Sequence, residues 1–313
     1  MTKRNNKIRL LSAALATSIL LSLSTLPSSA TPTRDINSLA DTNSAMDTDG
    51  RVYPYLKGVS NKNVWAYNRF NVIMGGKTLA VRGIEINGVA YVPFRAASEN
   101  ISGSRYSYNS STRTSTMTAP GLEIVVSDGC YVTYANGRAL FNTTPSVIMS
   151  DGKLYLPVSI FVKAVGMTVG VDGDSVRISG SFKPLLHADK YYNSDEVFWL
   201  GRIIHAESRG EPLIGQIAAG NVVMNRVRSN YYPNTIYGVI FDRKYGVQFS
   251  PILDGSIYNT PGYNATLAAK ICLEGTDVTG GAFFFLNTAL ATSSWIPKNR
   301  TYAFTIGNHD FYY

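Results

Sequence analysis

The chain has 313 residues, is 45% hydrophobic and 16% charged, and carries a formal net charge of +8. This composition is globular rather than disordered, and the length allows one to three domains. Lys3, Arg4, Lys7 and Arg9 account for four of the +8, while the segment from Ser194 to the end holds nine basic and nine acidic residues, which excludes the clustered basic footprint of a nucleic-acid binder.

In chain order, the first element is a basic start, MTKRNNKIRLL, followed by the apolar run SAALATSILLSLSTL and the small residues Ser28, Ser29 and Ala30. That order predicts a secretory signal peptide over residues 1–30. The run is short and broken by Ser and Thr, which favours cleavage over a retained anchor. The mature protein, near +4, is expected to be secreted or wall-associated, and a mild positive charge suits an anionic wall polymer. Residues 31–69 read as a linker and lead-in, with the polar stretch TPTRDINSLADTNSAMDTDG at its start.

Residues 70–181 alternate short apolar or β-branched runs with turns, and Asp-Gly recurs at 128–129, 151–152 and 172–173. A repeat runs through them. NGVAYVPFRAASE begins at Asn87 and DGKLYLPVSIFVK at Asp151, so Gly88, Tyr91 and Pro93 align with Gly152, Tyr155 and Pro157. Each copy predicts a turn, a short strand, a proline and an apolar helix, two units sharing one core. This region resembles the copper amine oxidase N-terminal-like domain, a stalk module. It contains no histidine and a single cysteine, Cys130, so copper binding is not expected. A spacer role, or contact with the wall or a membrane surface, is expected instead. Cys130 and the second cysteine, Cys272, fall in separate predicted domains and read as free buried thiols.

Residues 182–193 read as a connection, with His187 exposed in it. From Ser194, taken as the N-cap, Val197, Leu200, Ile204 and Glu207 follow at helical spacing. Gly210 ends that helix, and Pro212 opens a second one that runs to about Arg228 with Leu213, Ile217, Gly220, Met224 and Val227 on one stripe. Glu207 therefore continues an apolar face. A carboxylate there is costly unless paired, and burial raises its pKa, so it can serve as a proton donor to a leaving oxygen. The alternative is a structural ion pair with Arg202 or Arg209. Glu211 at a helix start and Asp254 in the turn SPILDGS both have adequate structural readings. The three histidines, His187, His205 and His309, are too scattered for a metal site, so no metal or cofactor is expected.

The stretch IIHAESRGEPLIGQIAAGNVVMNRV resembles the opening of the SleB/CwlJ-like cell wall hydrolase family. Further matching blocks follow in order: QFSPILDGS at 248–256, FFFLNTALATSSWI at 283–296 and TIGNHDFYY at 305–313. The resemblance implies a mainly helical fold like that of lysozyme and the lytic transglycosylases for residues 194–313. With the β-rich stalk, the whole chain is expected to be α+β. It also implies a peptidoglycan glycan strand as partner, cleavage of its MurNAc–GlcNAc β-1,4 bond, and Glu207 as the catalytic residue. Gln248, Ser250, Asn287 and Trp295 are expected to hold the glycan. One well-placed acid favours a lytic transglycosylase. A muramidase would need a second carboxylate, Asp254 or Glu211. An amidase and a catalytically inactive wall-binding protein remain alternatives. His205 and Ser208 depart from the family motif, and the stalk replaces the peptidoglycan-binding module common in spore-lytic members. Vegetative wall and spore cortex both remain open as substrates. Residues 194–313 are expected to fold and cut without the stalk.

Overall fold

The structure, a computed structural model, describes residues 43–46, 52–55, 62–244, 246–291 and 293–313. The signal-peptide reading of residues 1–30 lies outside them. Within the span read as a linker, β1 (Asn43–Met46) and β2 (Val52–Tyr55) pair antiparallel. Among the described residues no helix is long and apolar enough to cross a membrane.

The first region is β-rich. Its strands are β3 (Arg69–Met74), β4 (Lys77–Thr78), β5 (Gly83–Ile86), β6 (Val89–Pro93), β7 (Arg105–Asn109), β8 (Thr114–Ala119), β9 (Leu122–Ser127), β10 (Val132–Ala135), β11 (Arg138–Phe141), β12 (Val147–Ile148), β13 (Leu154–Pro157), β14 (Thr168–Asp172) and β15 (Ser175–Ser179). One sheet runs β12-β13-β6-β5-β3-β15-β14, with β4 on β3; a second runs β11-β10-β9-β8-β7. Helices α1 (Phe94–Ser98) and α2 (Val158–Val165) follow β6 and β13, each entered through the repeat's proline, Pro93 or Pro157. Proline suits that position because its fixed φ is ready for a helix and its missing N–H is not required there.

The two repeat copies pair with each other. In the β6–β13 ladder Tyr91 faces Pro157, Val92 faces Leu156 and Pro93 faces Tyr155, a local two-fold relation between equivalent residues. Asn87 and Gly88 both have positive φ and close the β5–β6 hairpin in a two-residue turn. Alternation buries Phe70, Val72 and Met74 on β3 and Leu122, Ile124 and Val126 on β9. These meet Phe94 and Phe161 from the two helices in one core.

The second region holds α3 (Ala188–Tyr191), α4 (Ser194–Ser208), α5 (Leu213–Arg228), α6 (Ile236–Ile240), α7 (Tyr263–Leu273), β16 (Phe284–Leu286), α8 (Trp295–Asn299), β17 (Tyr302–Ile306) and β18 (His309–Tyr312). The chain is thus α+β, a β-rich region followed by a helical one, and the latter closes with a three-stranded sheet ordered β16-β18-β17. Asn193, not Ser194, caps α4: its side-chain oxygen accepts from the Asp195 and Glu196 backbone N–H groups at 2.9 and 3.3 Å. Ser194 instead begins the helix, because two good capping residues stand side by side and only one can lie outside it. Helices α4, α5 and α7 converge at Gly220, where an added Cβ would stand 2.7 Å from Ile204 Cδ1 and 2.8 Å from Cys272 Sγ. Only glycine allows this approach. Both cysteines are free and buried, and burial pushes the Cys130 thiol up to about 12.

The two regions share a seam. Val132 and Ala139 of the β10–β11 hairpin lie in the same core as Leu200, Ile217 and Ile271. Arg138 donates from Nε and Nη2 to the two carboxylate oxygens of Glu274 at 2.7 and 2.8 Å. Lys163 of α2 stands 3.0 Å from Oε2, and the Tyr192 hydroxyl donates to Oε1 at 2.9 Å. Burial alone would raise the Glu274 pKa, but the Arg138 hydrogen bonds and the Lys163 charge hold it below the ordinary carboxylate range. Residues 182–193 are pinned on both sides. Phe182 and Leu185 pack on the sheet core, the Ala188 N–H donates to Asn136 O at 2.9 Å, and exposed His187 pairs with Asp189 at 2.9 Å.

Candidate active site

Glu207 occupies the last turn of α4, beside the buried face formed by Ile203, Ile204 and Ser208. The Ser208 hydroxyl turns inward and donates to Ile204 O at 2.7 Å. Glu207 is only half-buried and opens on a cleft of ≈ 1410 Å³. Glu211, Gln248, Ser250, Asn287, Trp295 and His309 line the same cleft, so residues from all four motif blocks meet there. Asp254 is absent from the wall, although its neighbour Leu253 is on it.

Burial pushes the Glu207 carboxyl up to about 7, the negative charge of Asp254 adds to the rise, and Arg226 opposes it. Near neutrality both protonation states are therefore populated. No ion pair joins Glu207 to Arg202 or Arg209 among the described residues. Arg202 is spent elsewhere, donating to Ile257 O at 3.3 Å and Asn259 O at 3.1 Å, with its guanidinium 4.3 Å from the Phe198 ring centroid. The local sequence thus places a carboxyl at the mouth of a helix bundle and leaves it without a fixed partner.

The companion acids are engaged. Glu211 accepts from the Asn308 backbone N–H at 3.0 Å and from Asn308 Nδ2 at 2.9 Å, and it lies 3.5 Å from His309 Nδ1. It ties the α4–α5 turn to the β17–β18 turn. Gly307 (φ +58°) makes this possible, since a Cβ there would sit 1.8 Å from Glu211 Oε2. The helix-start reading of Glu211 therefore captured only part of its role. Asp254 is exposed and accepts from the Ser256 N–H at 2.8 Å, a turn cap whose hydrogen bonds hold its pKa below the usual range. His205 is turned to Gly262, whose N–H donates to Nδ1 at 3.3 Å.

Among the proposed glycan contacts, Gln248 donates to Gly246 O at 3.0 Å and Asn287 Oδ1 accepts from the Ala289 N–H at 3.1 Å, while Trp295 is half-exposed. Among the wall residues not given a site role from the sequence are Arg226, Arg300 and His309. Arg226 lies in the Asn-Arg-Val ending of the α5 motif, where a basic residue near a helix C-terminus reads as a dipole partner. It is instead 5% exposed and donates from Nε to Phe283 O at 2.9 Å.

Residues 210–312 match the family model described as Cell Wall Hydrolase, and residues 73–179 match the Copper amine oxidase N-terminal domain. A spore cortex-lytic enzyme of Bacillus cereus is 39% identical over 120 residues, covering 38% of this chain and 45% of its own length. The corresponding enzyme of Bacillus subtilis is 34% identical over 120 residues, covering 38% of both chains. The chain thus spans under half the length of these curated relatives. A solved structure, the catalytic domain of the germination-specific lytic transglycosylase SleB from Bacillus anthracis, is 38% identical and covers 39% of this chain and 97% of its own, with a TM-score of 0.36. The C-terminal region of this chain is thus similar to cell wall hydrolases, and the β-rich region before it to copper amine oxidase N-terminal domains.

Proposed function

We propose that this chain is an exported peptidoglycan-cleaving enzyme, a lytic transglycosylase that cuts the MurNAc–GlcNAc β-1,4 bond with Glu207 as its acid and base. The observation that carries the reading is the Glu207 carboxyl, without an ion-pair partner among the described residues and poised at about 7 in the cleft. The family match and the relatives' names, a spore cortex-lytic enzyme and a lytic transglycosylase, support the same polymer and the same chemistry. Site of action is the wall or the spore envelope. Residues 194–313 are taken as the catalytic unit and 70–181 as a stalk that sets its distance from the wall.

In this scheme protonated Glu207 gives its proton to the glycosidic oxygen as the bond to the muramyl anomeric carbon breaks. The resulting carboxylate then takes the proton of the same sugar's 6-hydroxyl. That oxygen closes on the anomeric carbon, leaving a 1,6-anhydro end and Glu207 protonated again. Water takes no part. A hydrolase would need a second carboxylate across the bond. Glu211 has its oxygens occupied by Asn308, and Asp254 caps its own turn off the cleft wall, which favours the single-acid route. Gln248, Ser250, Asn287 and Trp295 would hold the strand and stabilise developing charge.

Digestion of purified sacculi followed by mass spectrometry tests this. Anhydro-muropeptides, lighter by one water and resistant to borohydride, are the expected products. Folded Glu207→Gln is expected to lose activity by on the order of a thousandfold, since it keeps the shape and lacks the proton. Reducible ends only would make the enzyme a muramidase, with Asp254 the first candidate for its second carboxylate. Substantial activity in the Gln variant would remove Glu207 from the role.

A further inference from the structure

Besides the acids Glu207 and Glu211, the cleft is lined by a stack of cations and rings. The guanidinium carbons of Arg226 and Arg300 stand 5.4 and 4.6 Å from the centroid of Phe284. Arg300 also lies 4.8 Å from the Trp295 centroid. All four side chains line the cleft. Neither arginine forms an ion pair among the described residues, and the charges of Asp242 and Glu207 only partly offset the burial that lowers the Arg226 pKa. Arg226 is more than nine-tenths buried, spends Nε on Phe283 O, and has a buried Nη1 without an acceptor. Arg300 donates from Nη1 to Asn299 O at 3.1 Å and is otherwise exposed to the cleft.

A desolvated guanidinium with open donors is costly until an acceptor arrives. Rings that hold a guanidinium in one orientation remove the ordering cost that such a long side chain would otherwise meet on binding. The planar fork of arginine matches a carboxylate better than it matches neutral sugar hydroxyls. The acids on the wall do not satisfy this charge, because Glu207 is poised to carry a proton and Glu211 is taken up by Asn308.

We infer that the Arg226–Phe284–Arg300–Trp295 wall is a carboxylate subsite, which selects a glycan bearing carboxylates over a neutral one. This rests on the peptidoglycan reading above. In that polymer the N-acetylglucosamine unit has no carboxylate. The muramyl unit carries a lactyl ether that ends either in a free carboxylate or in an amide-linked peptide with carboxylates of its own. Both sources present the same chemistry, placed on every second sugar, and either one would fix the register of the strand relative to Glu207.

The test is equilibrium binding by full-length Glu207→Gln, which keeps the cleft and does not cut. Three strand preparations come from the same sacculi: peptide-bearing strands, strands stripped of peptide so that the lactyl carboxylate is free, and stripped strands whose carboxylates are converted to methylamides. The carboxylate strands are expected to bind about tenfold tighter than the methylamides. Adding Arg300→Gln is expected to erase that difference, and Arg300→Lys to recover part of it. Arg300 is exposed, so its replacement leaves the core intact. Preference for stripped strands identifies the lactyl carboxylate as the ligand, and preference for intact strands identifies the peptide. Equal binding of carboxylate and methylamide strands, or a difference that survives Arg300→Gln, overturns the subsite alone. Failure to bind any strand overturns the peptidoglycan reading on which it stands.

Discussion

The cleft and the seam each contain a glutamate at the C-terminal end of a helix, and the two are handled in opposite ways. Glu274, just past α7, is met by Arg138, Lys163 and Tyr192, and its pKa falls below the ordinary range. Glu207, on the last turn of α4, has no hydrogen-bond donor among the described residues, and its pKa rises to about 7. The helical region thus presents a paired carboxylate to the stalk and an unpaired one to the cleft. Burial alone does not separate the two acids; what separates them is whether the fold supplies hydrogen-bonded counter-charge.

The largest effect is expected at the seam. Arg138→Ala leaves the Glu274 carboxylate buried with a single cation, and loss of one partner of a buried pair destabilises by about 3–5 kcal/mol. Residues 194–313 expressed alone lose Arg138 and Lys163 together and bare the core surface covered by Val132 and Ala139. That fragment is expected to unfold at a clearly lower denaturant concentration than the full chain. Equal midpoints would reduce the seam to a passive contact and restore the fully separable catalytic unit expected from the sequence.

A smaller effect sharpens the contrast through pH. The folded pKa of Glu207 is raised from 4.5 to about 7, so its stability contribution is full below 4.5 and is lost as pH rises through about 7. Glu207→Gln removes that loss. The variant should gain on the order of 1–3 kcal/mol over the parent between pH 4.5 and 7 and keep the gain above it. Glu274 runs the other way: its depressed pKa stabilises at pH above the ordinary carboxylate value, and the contribution disappears as acid protonates it. Denaturation midpoints of Glu207→Gln and Glu274→Gln from pH 3 to pH 8, each compared with the parent, should therefore depart from it in opposite directions as pH rises, the first gaining and the second losing, and both differences should narrow in acid. Parallel curves would mean that the two acids are in equivalent surroundings. On the proposed mechanism the acid form starts the reaction, so wall-lytic activity is expected to fall as pH rises beyond about 7.

Much of this contrast was legible in the sequence on one side only. Glu207 showed itself because Leu200 and Ile204 set a helical stripe that it continues, and the stalk duplication showed because Gly88, Tyr91 and Pro93 recur at Gly152, Tyr155 and Pro157. Both signals are local. The Arg138–Glu274 pair spans 136 positions and leaves no spacing to read. The same holds for Glu211 with Asn308, 97 positions apart, so its bond to the β17–β18 turn was invisible although both lie in motif blocks. The aromatic run at Phe283 to Phe285 has no spacing that separates packing from a binding surface, but β16 places Phe284 at the edge of the terminal sheet, where it lines the cleft with Arg226 and Arg300. Arg226 stayed hidden because arginine at the end of a helix has an ordinary explanation, and only the packed rings of Tyr232, Phe249 and Phe284 around it show otherwise.

The smallest expected effect comes from Asp254, the group that bears on the division between transglycosylase and hydrolase. Its carboxylate is exposed, caps Ser256 and adds to the rise in the Glu207 pKa, second to burial. Asp254→Asn keeps an oxygen to accept the Ser256 N–H and removes only the charge. If Asp254 acts on Glu207 through space, the upper limb of the pH–activity profile should move to lower pH by a fraction of a unit. Activity well below that limb should stay unchanged, and the shift should shrink as salt screens an exposed charge. The measurement is initial wall lysis across pH at low and high ionic strength. A carboxylate that takes part in bond cleavage behaves differently: its removal lowers the rate at every pH, salt does not restore it, and the products carry reducing ends. A drop of that kind would move Asp254 from the turn into the chemistry, and Glu207 would then act as one of two acids.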